Sequence, residues 1–131
     1  PKFERSVYMD KSKRTAFETA FVESLTAALN NVNKGYNLAD NDKSTQLLSE
    51  AKRNIEDCFY WVDKNKLNVA IESIKFAFDD VHEVYLLTDD IDCYELVECT
   101  SDAVDDLKHA YFYLTNLLIL IQQFHLQLNI L

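Results

Sequence analysis

Histidine and aspartate occur twice in the spacing that helical metal sites use. Asp79 precedes His82 by three residues, and Asp106 precedes His109 by the same interval. In di-metal helical bundles, a Glu-x-x-His pair of this spacing points inward together with carboxylates from other helices. Helical periodicity instead places His109 opposite the apolar stripe of its helix and Asp79 outside the stripe of its own. We therefore predict no metal site and no cofactor.

The third histidine, His125, lies on the main apolar face of the last predicted helix. A histidine in that position is more often a hydrogen-bonded core residue, or one near a frayed helix end, than a catalyst or phosphoacceptor. The His-x-x-Lys-Gly pattern of phosphoryl-relaying bundles is absent, since His82 is followed by Glu-Val-Tyr and His109 by Ala-Tyr-Phe. A single glycine also excludes a glycine-rich phosphate loop. The sequence thus predicts a protein that is not an enzyme.

The three cysteines, Cys58, Cys93 and Cys99, do not have the spacing of a zinc site. Their odd number and the lack of a signal peptide at the start of the chain favour a reducing, cytoplasmic environment over an oxidised secreted one. The longest near-continuous apolar stretch, residues 111–121, is shorter than the ~20 residues that a membrane span needs. We expect an intracellular protein that does not enter a membrane.

Composition indicates which elements position these residues. The 131 residues are 48% hydrophobic and 27% charged, with one glycine and one proline. Because hairpin turns and helix breaks use those two residue types, their scarcity favours long helices joined by short polar links. Apolar residues recur at helical spacing over residues 11–33, 44–62, 66–87 and 101–129.

The predicted fold is all-α, an antiparallel helical bundle of four long helices plus one short helix, in a single domain over residues 1–131. Residues 1–10 lack a long periodicity and are expected to form an N-terminal arm. Gly35 is expected to end the first helix, and residues 92–99 to form the short one. Ser101 is expected to cap the last helix, which we predict to be the most buried.

The last helix is apolar on more than one side. Its main apolar face includes Leu107, Leu114 and Ile121, yet further large apolar residues lie on its flank or back. A helix that is apolar all round must be covered all round. Either the other helices surround it, or its outer face meets a second copy or another protein. The residues of a possible oligomer interface are Phe112, Ile119, Leu120, Leu126 and Ile130.

Negative charge is concentrated in one segment of the chain. The formal net charge is −9, yet residues 1–75 hold 12 Lys/Arg against 11 Asp/Glu, and residues 76–107 hold 11 Asp/Glu with no Lys or Arg. Such a segment repels nucleic acid phosphates and attracts a basic protein surface. The alternative is an acidic face that is simply solvated. The residues predicted to bind a partner are Asp79, Asp80, Glu83, Asp89, Asp90, Asp92, Tyr94, Glu95 and Glu98.

These patterns together predict a non-enzymatic protein-interaction module, for example an inhibitor, an immunity protein or an antagonist of a nucleic-acid-processing enzyme. The predicted partner is a protein with a basic surface, and direct nucleic acid binding is not expected. The alternative hypothesis is a homo-oligomeric structural or assembly protein joined through its apolar C-terminal helix.

Overall fold

The chain is built from four α-helices over the residues that the structure describes. This structure, a computed structural model, describes the backbone of residues 2–88 and 93–130 and the side chains of residues 12–88 and 93–126. The all-α prediction is confirmed. None of the helices in the described part has a segment long and apolar enough to cross a membrane. The helices are α1 (Lys2–Leu38), α2 (Asp42–Asp63), α3 (Leu67–Thr88) and α4 (Tyr94–Ile130).

Each helix packs mainly against two neighbours, so the four helices lie at the corners of a square. The neighbouring pairs are α1 with α2, α2 with α3, α3 with α4, and α4 with α1. Neighbours run antiparallel: Asn31 of α1 bonds Asp106 of α4, whereas Gly35, further along α1, lies against Leu96, further back along α4. This arrangement leaves one outward face on every helix.

The core is formed by the inner stripe of each helix, at the spacing that the sequence predicts. In α2, Leu48, Ala51, Ile55 and Cys58 are fully buried at intervals of three or four residues. Fully burying a leucine or phenylalanine contributes about 1.5–3 kcal/mol, so this stripe supplies much of the folding free energy. The largest fully buried apolar side chains are Phe21, Leu25, Val32, Leu48, Ile55, Ile74, Val81, Val84, Leu96, Leu107 and Leu114.

Both ends of α2 are closed by local hydrogen bonds. At its start, the side-chain oxygen of Asn41 accepts a hydrogen bond from the Ser44 amide at 2.8 Å. At its end, Asn65 adopts a positive φ of 59°, and the Lys66 amide donates to the Trp61 carbonyl at 2.8 Å. This is the Schellman arrangement, which turns the chain back so that α3 packs antiparallel to α2.

The first helix is longer than predicted at both ends. α1 begins at Lys2, so residues 2–10 extend the helix instead of forming an arm. Gly35 does not end α1, because it is buried within the helix and has no positive φ. A Cβ at Gly35 would lie 3.4 Å from a Leu48 methyl and 3.6 Å from a Leu96 methyl. These are ordinary van der Waals distances, so Gly35 lies where three helices meet but the space does not require a glycine.

The predicted short helix and the cap at Ser101 are wrong. α4 runs without interruption from Tyr94, and the Thr100 hydroxyl donates to the Leu96 carbonyl at 2.9 Å, as hydroxyls do inside a helix. No glycine or proline lies between residues 94 and 101 to break the helix. Asp92, the first residue of the predicted short helix, lies outside the described residues.

The prediction that the C-terminal helix is the most buried is not confirmed. α3 has nine buried positions within its 22 residues, a denser inner face than the much longer α4 shows over its described side chains. Because α4 packs mainly on α1 and α3, the other helices do not surround it. One face of α4 is therefore left uncovered by the bundle, and the packing of the helices does not account for the side chains on that face.

Candidate interaction surface on the last helix

A single line of solvent-facing side chains follows the outside of α4 along most of its length. Its members alternate at intervals of three and four residues, the spacing that keeps residues on one side of a helix. All of them are exposed except Asn116, which is half-buried. We call this line the outer ridge, and its residues are Glu95, Glu98, Asp102, Asp105, His109, Phe112, Asn116, Ile119, Gln123 and Leu126.

The first half of the outer ridge is anionic. Glu95, Glu98, Asp102 and Asp105 are exposed, and no lysine or arginine in the described part of the chain forms an ion pair with them. Acidic residues three or four positions apart on a helix repel one another. This acidic half is therefore a row of carboxylates without an ion-pair partner among the described residues.

Cys99, beneath this row, responds to its charge. Burial raises the pKa of the Cys99 thiol, and the neighbouring Glu98 and Asp102 raise it further. Lys34 of α1 acts in the opposite direction. The acidic half thus borders α1 on one side, where one cation partly offsets its field.

The second half of the outer ridge is apolar at every seventh residue. Phe112, Ile119 and Leu126 are 57%, 46% and 62% exposed, so three large apolar side chains stand in water on one helix face. Leu120, predicted for the same interface, is half-buried beside the ridge. The side chain of Ile130 lies outside the described residues.

The predicted acidic residues of α3 do not form one surface with those of α4. Asp80 accepts a hydrogen bond from the Asn54 side chain of α2 at 3.2 Å. Glu83 forms an ion pair with Lys43, which lies near the start of α2, at 3.1 Å. These two residues therefore belong to the seam between α2 and α3, whereas Asp79 is exposed at the seam between α3 and α4.

The remaining predicted residues have different positions. Tyr94 is 76% exposed at the start of α4, next to the acidic half of the ridge. Asp106, which the segment also contains, faces α1, where it accepts a hydrogen bond from the Asn31 side chain at 2.9 Å, and burial raises its pKa. Asp89, Asp90 and Asp92 lie outside the described residues.

A shallow groove of about 370 Å³ separates α3 from α4. Its floor is apolar, and its rim contains Lys75, Lys108 and Asp79. Lys75 also pairs with Glu72 at 3.3 Å. Opposite charges on the rim largely offset one another, so the groove has no single electrostatic preference. The other lining residues are Ile74, Phe78, Leu107 and Tyr111.

The histidines do not assemble into a metal or catalytic centre within the described residues. His82 stacks on Phe78 with ring centroids 5.6 Å apart, and His109 is exposed on the outer ridge. Among the side chains that the structure describes, no three potential ligands come together as a metal site would require.

Of the two alternatives expected for His125, the core position is contradicted, because the His125 side chain is exposed. It borders a surface recess with Lys66 and Leu67, which shows that this part of α4 has reached the link between α2 and α3. There α3 no longer covers the inner face of α4, so a residue on the apolar face of α4 is not necessarily buried. Periodicity alone does not reveal where a neighbouring helix starts.

Two residues of the ridge, Asp102 and Asp105, belong to the acidic segment predicted to bind a partner but were not among the binding residues named one by one. The signal was present, since they follow Glu95 by seven and ten residues. A helix boundary at Ser101 assigned the two pairs of carboxylates to different helices and so hid their common face.

The fold and the ridge define the class of protein, an all-helical bundle with an exposed, amphiphilic last helix. Comparison with known protein families, with curated proteins and with solved structures gives no match to the chain.

Proposed function

We propose that the protein is a non-enzymatic interaction module that binds a basic protein surface through the acidic half of the outer ridge. The observation that supports this proposal best is the row of four exposed carboxylates, Glu95, Glu98, Asp102 and Asp105, without an ion-pair partner among the described residues. Four of the eleven acidic residues in the segment 76–107 thus share one accessible helix face.

The row has a free energy cost that a cationic partner would remove. Each like-charge pair at this spacing destabilises a helix by roughly 0.2–0.5 kcal/mol. Glu95 is partly compensated because it lies in the first turn of α4, where the helix dipole favours negative charge. The carboxylates further along lie beyond that first turn, so an external cation is their most effective counter-charge.

Tyr94 supplies the other component of a recognition surface. It is 76% exposed immediately before Glu95, and tyrosine is enriched among the residues that dominate binding energy at interfaces. The charges would accelerate association, and the aromatic ring would bury apolar area in the complex. A partner whose basic surface normally binds phosphates fits this combination, which makes an inhibitor or antagonist of a nucleic-acid-processing enzyme a suitable example.

The proposal is tested by reversing the charge of the row. The triple variant Glu98→Lys, Asp102→Lys and Asp105→Lys is used as bait in a host lysate beside the wild-type chain. The matched control reverses three exposed acidic residues of α2, Glu56→Lys, Asp57→Lys and Asp63→Lys, and so has the same net charge. Circular dichroism verifies that each bait is helical.

We expect the wild-type and control chains to retain the same basic protein at low salt and to release it at high salt. The ridge variant should bind that protein at least ~10-fold more weakly, a loss of about 1.4 kcal/mol. Equal affinity of the ridge variant and the control for the captured protein would contradict the proposal.

A further inference from the structure

We infer that the apolar half of the outer ridge binds a second copy of this chain, with the two α4 helices antiparallel and Ile119 at the two-fold axis. The ridge residues Phe112, Ile119 and Leu126 are large, apolar and exposed, and they recur every seven residues, as one of the two apolar positions of a heptad does in paired helices. The side of α4 facing α1 and α3 is already buried, so this ridge is a second, separate contact line.

The pattern is self-complementary when one copy is reversed. With Ile119 on the axis, Phe112 of one copy lies opposite Leu126 of the other. Asn116 of one copy then lies opposite the adjacent glutamines Gln122 and Gln123 of the other. Apolar residues therefore meet apolar residues and amides meet amides, which is the requirement for an isologous interface.

Charge selects the antiparallel orientation over the parallel one. A parallel pair in register would bring Glu95, Glu98, Asp102 and Asp105 of both copies alongside one another. In the antiparallel pair, the apolar halves overlap and the two acidic halves project at opposite ends. Repulsion between like charges therefore disfavours the parallel pair and not the antiparallel pair.

The association is measured by sedimentation equilibrium of the purified chain at micromolar concentration. We expect a dimer for the wild type, and at least a tenfold weaker dimer for Phe112→Asp. Phe76→Asp is the matched control, because Phe76 of α3 is 58% exposed against 57% for Phe112 but does not belong to the ridge. That control should remain a dimer.

A wild-type chain that remains a monomer at these concentrations would overturn the inference, and so would a dimer that Phe112→Asp leaves intact. Neither result bears on the acidic half of the ridge, which stays free in the dimer. Loss of partner binding in the charge-reversal variant and loss of self-association are therefore separate outcomes.

Orientation is tested by disulfide cross-linking in a Cys93→Ser background, since Cys58 and Cys99 are buried. Ile119→Cys should cross-link with itself. Phe112→Cys should cross-link with an equimolar Leu126→Cys chain and not with its own copies. Self-linking of Phe112→Cys in preference to the mixed pair would overturn the antiparallel register.

Discussion

Asp80 is the carboxylate whose surroundings change its chemistry most clearly. Burial at the seam between α2 and α3 raises its pKa from 3.8 to about 6, and the negative charge of Glu50 adds to the effect. The hydrogen bond from Asn54 acts in the opposite direction and only partly compensates. An ionised Asp80 therefore costs folding free energy at neutral pH.

The variant Asp80→Asn should be more stable than the wild type above pH 6 and similar to it below pH 4. The folded chain binds the Asp80 proton more tightly than the unfolded chain, so this group lowers stability as pH rises from about 4 to about 6. Since solvent screens a half-buried group, we expect a gain of roughly 1 kcal/mol at pH 7.

Urea unfolding at several pH values measures this gain, with Asp57→Asn, an exposed site on α2, as the control. An asparagine at position 80 can still accept the hydrogen bond from Asn54, so the variant removes charge and preserves the contact. A stability difference between the two variants that stays constant from pH 4 to pH 7 would refute the interpretation.

The burial or role of a single residue could be predicted from the sequence only where it depends on the residue's own helix. The buried stripe of Leu48, Ile55 and Cys58 follows from spacing within α2, and it is confirmed. Gly35 was misjudged because its burial depends on Leu48 and Leu96, which lie on two other helices. Such contacts between helices leave no signal in local periodicity.

At the scale of elements, the continuity of α4 decides where the candidate site is. Proline in a helix interior removes a backbone hydrogen bond and clashes with the preceding turn, at a cost of about 3 kcal/mol or more, whereas the first turn tolerates it. Ser101→Pro should therefore destabilise the chain strongly in thermal or urea unfolding, because position 101 lies inside α4.

The control for this prediction is Asp42→Pro, at the first position of α2. Asn41, the preceding residue, has an extended backbone with φ −131° and ψ 154°, which suits a following proline. This control should stay within about 1 kcal/mol of the wild type. If Ser101→Pro were equally harmless, a helix boundary at residue 101 would be the better description.

Helix existence was predicted correctly for all four long elements, whereas both ends of α1 and the start of α4 were misplaced. The sequence around Ser101 contains a plausible capping residue followed by acids, but the packing of Leu96 into the core keeps the helix continuous through it. Tertiary burial thus overrides a local capping preference. This single boundary assigned the ridge carboxylates to two different helices, so their common face was not predicted.

At the scale of the whole molecule, the segment rich in acidic residues becomes several surfaces with different roles. Glu83 pairs with Lys43 and Asp106 bonds Asn31, so these acidic residues stabilise seams between helices. The acidic residues of the outer ridge have no such contacts in the described part of the chain. Charge counting predicts the excess, but the arrangement of the helices determines which carboxylates remain available.

The central claim is that a partner covers the acidic half of the outer ridge, and carboxyl footprinting tests it most directly. The chain is treated with a carbodiimide and an amine label, alone and saturated with the protein captured from the host lysate. We predict that the partner protects Glu95, Glu98, Asp102 and Asp105 from labelling, while Glu56 and Asp57 of α2 stay reactive. Equal labelling of the four ridge carboxylates with and without the partner would contradict the account.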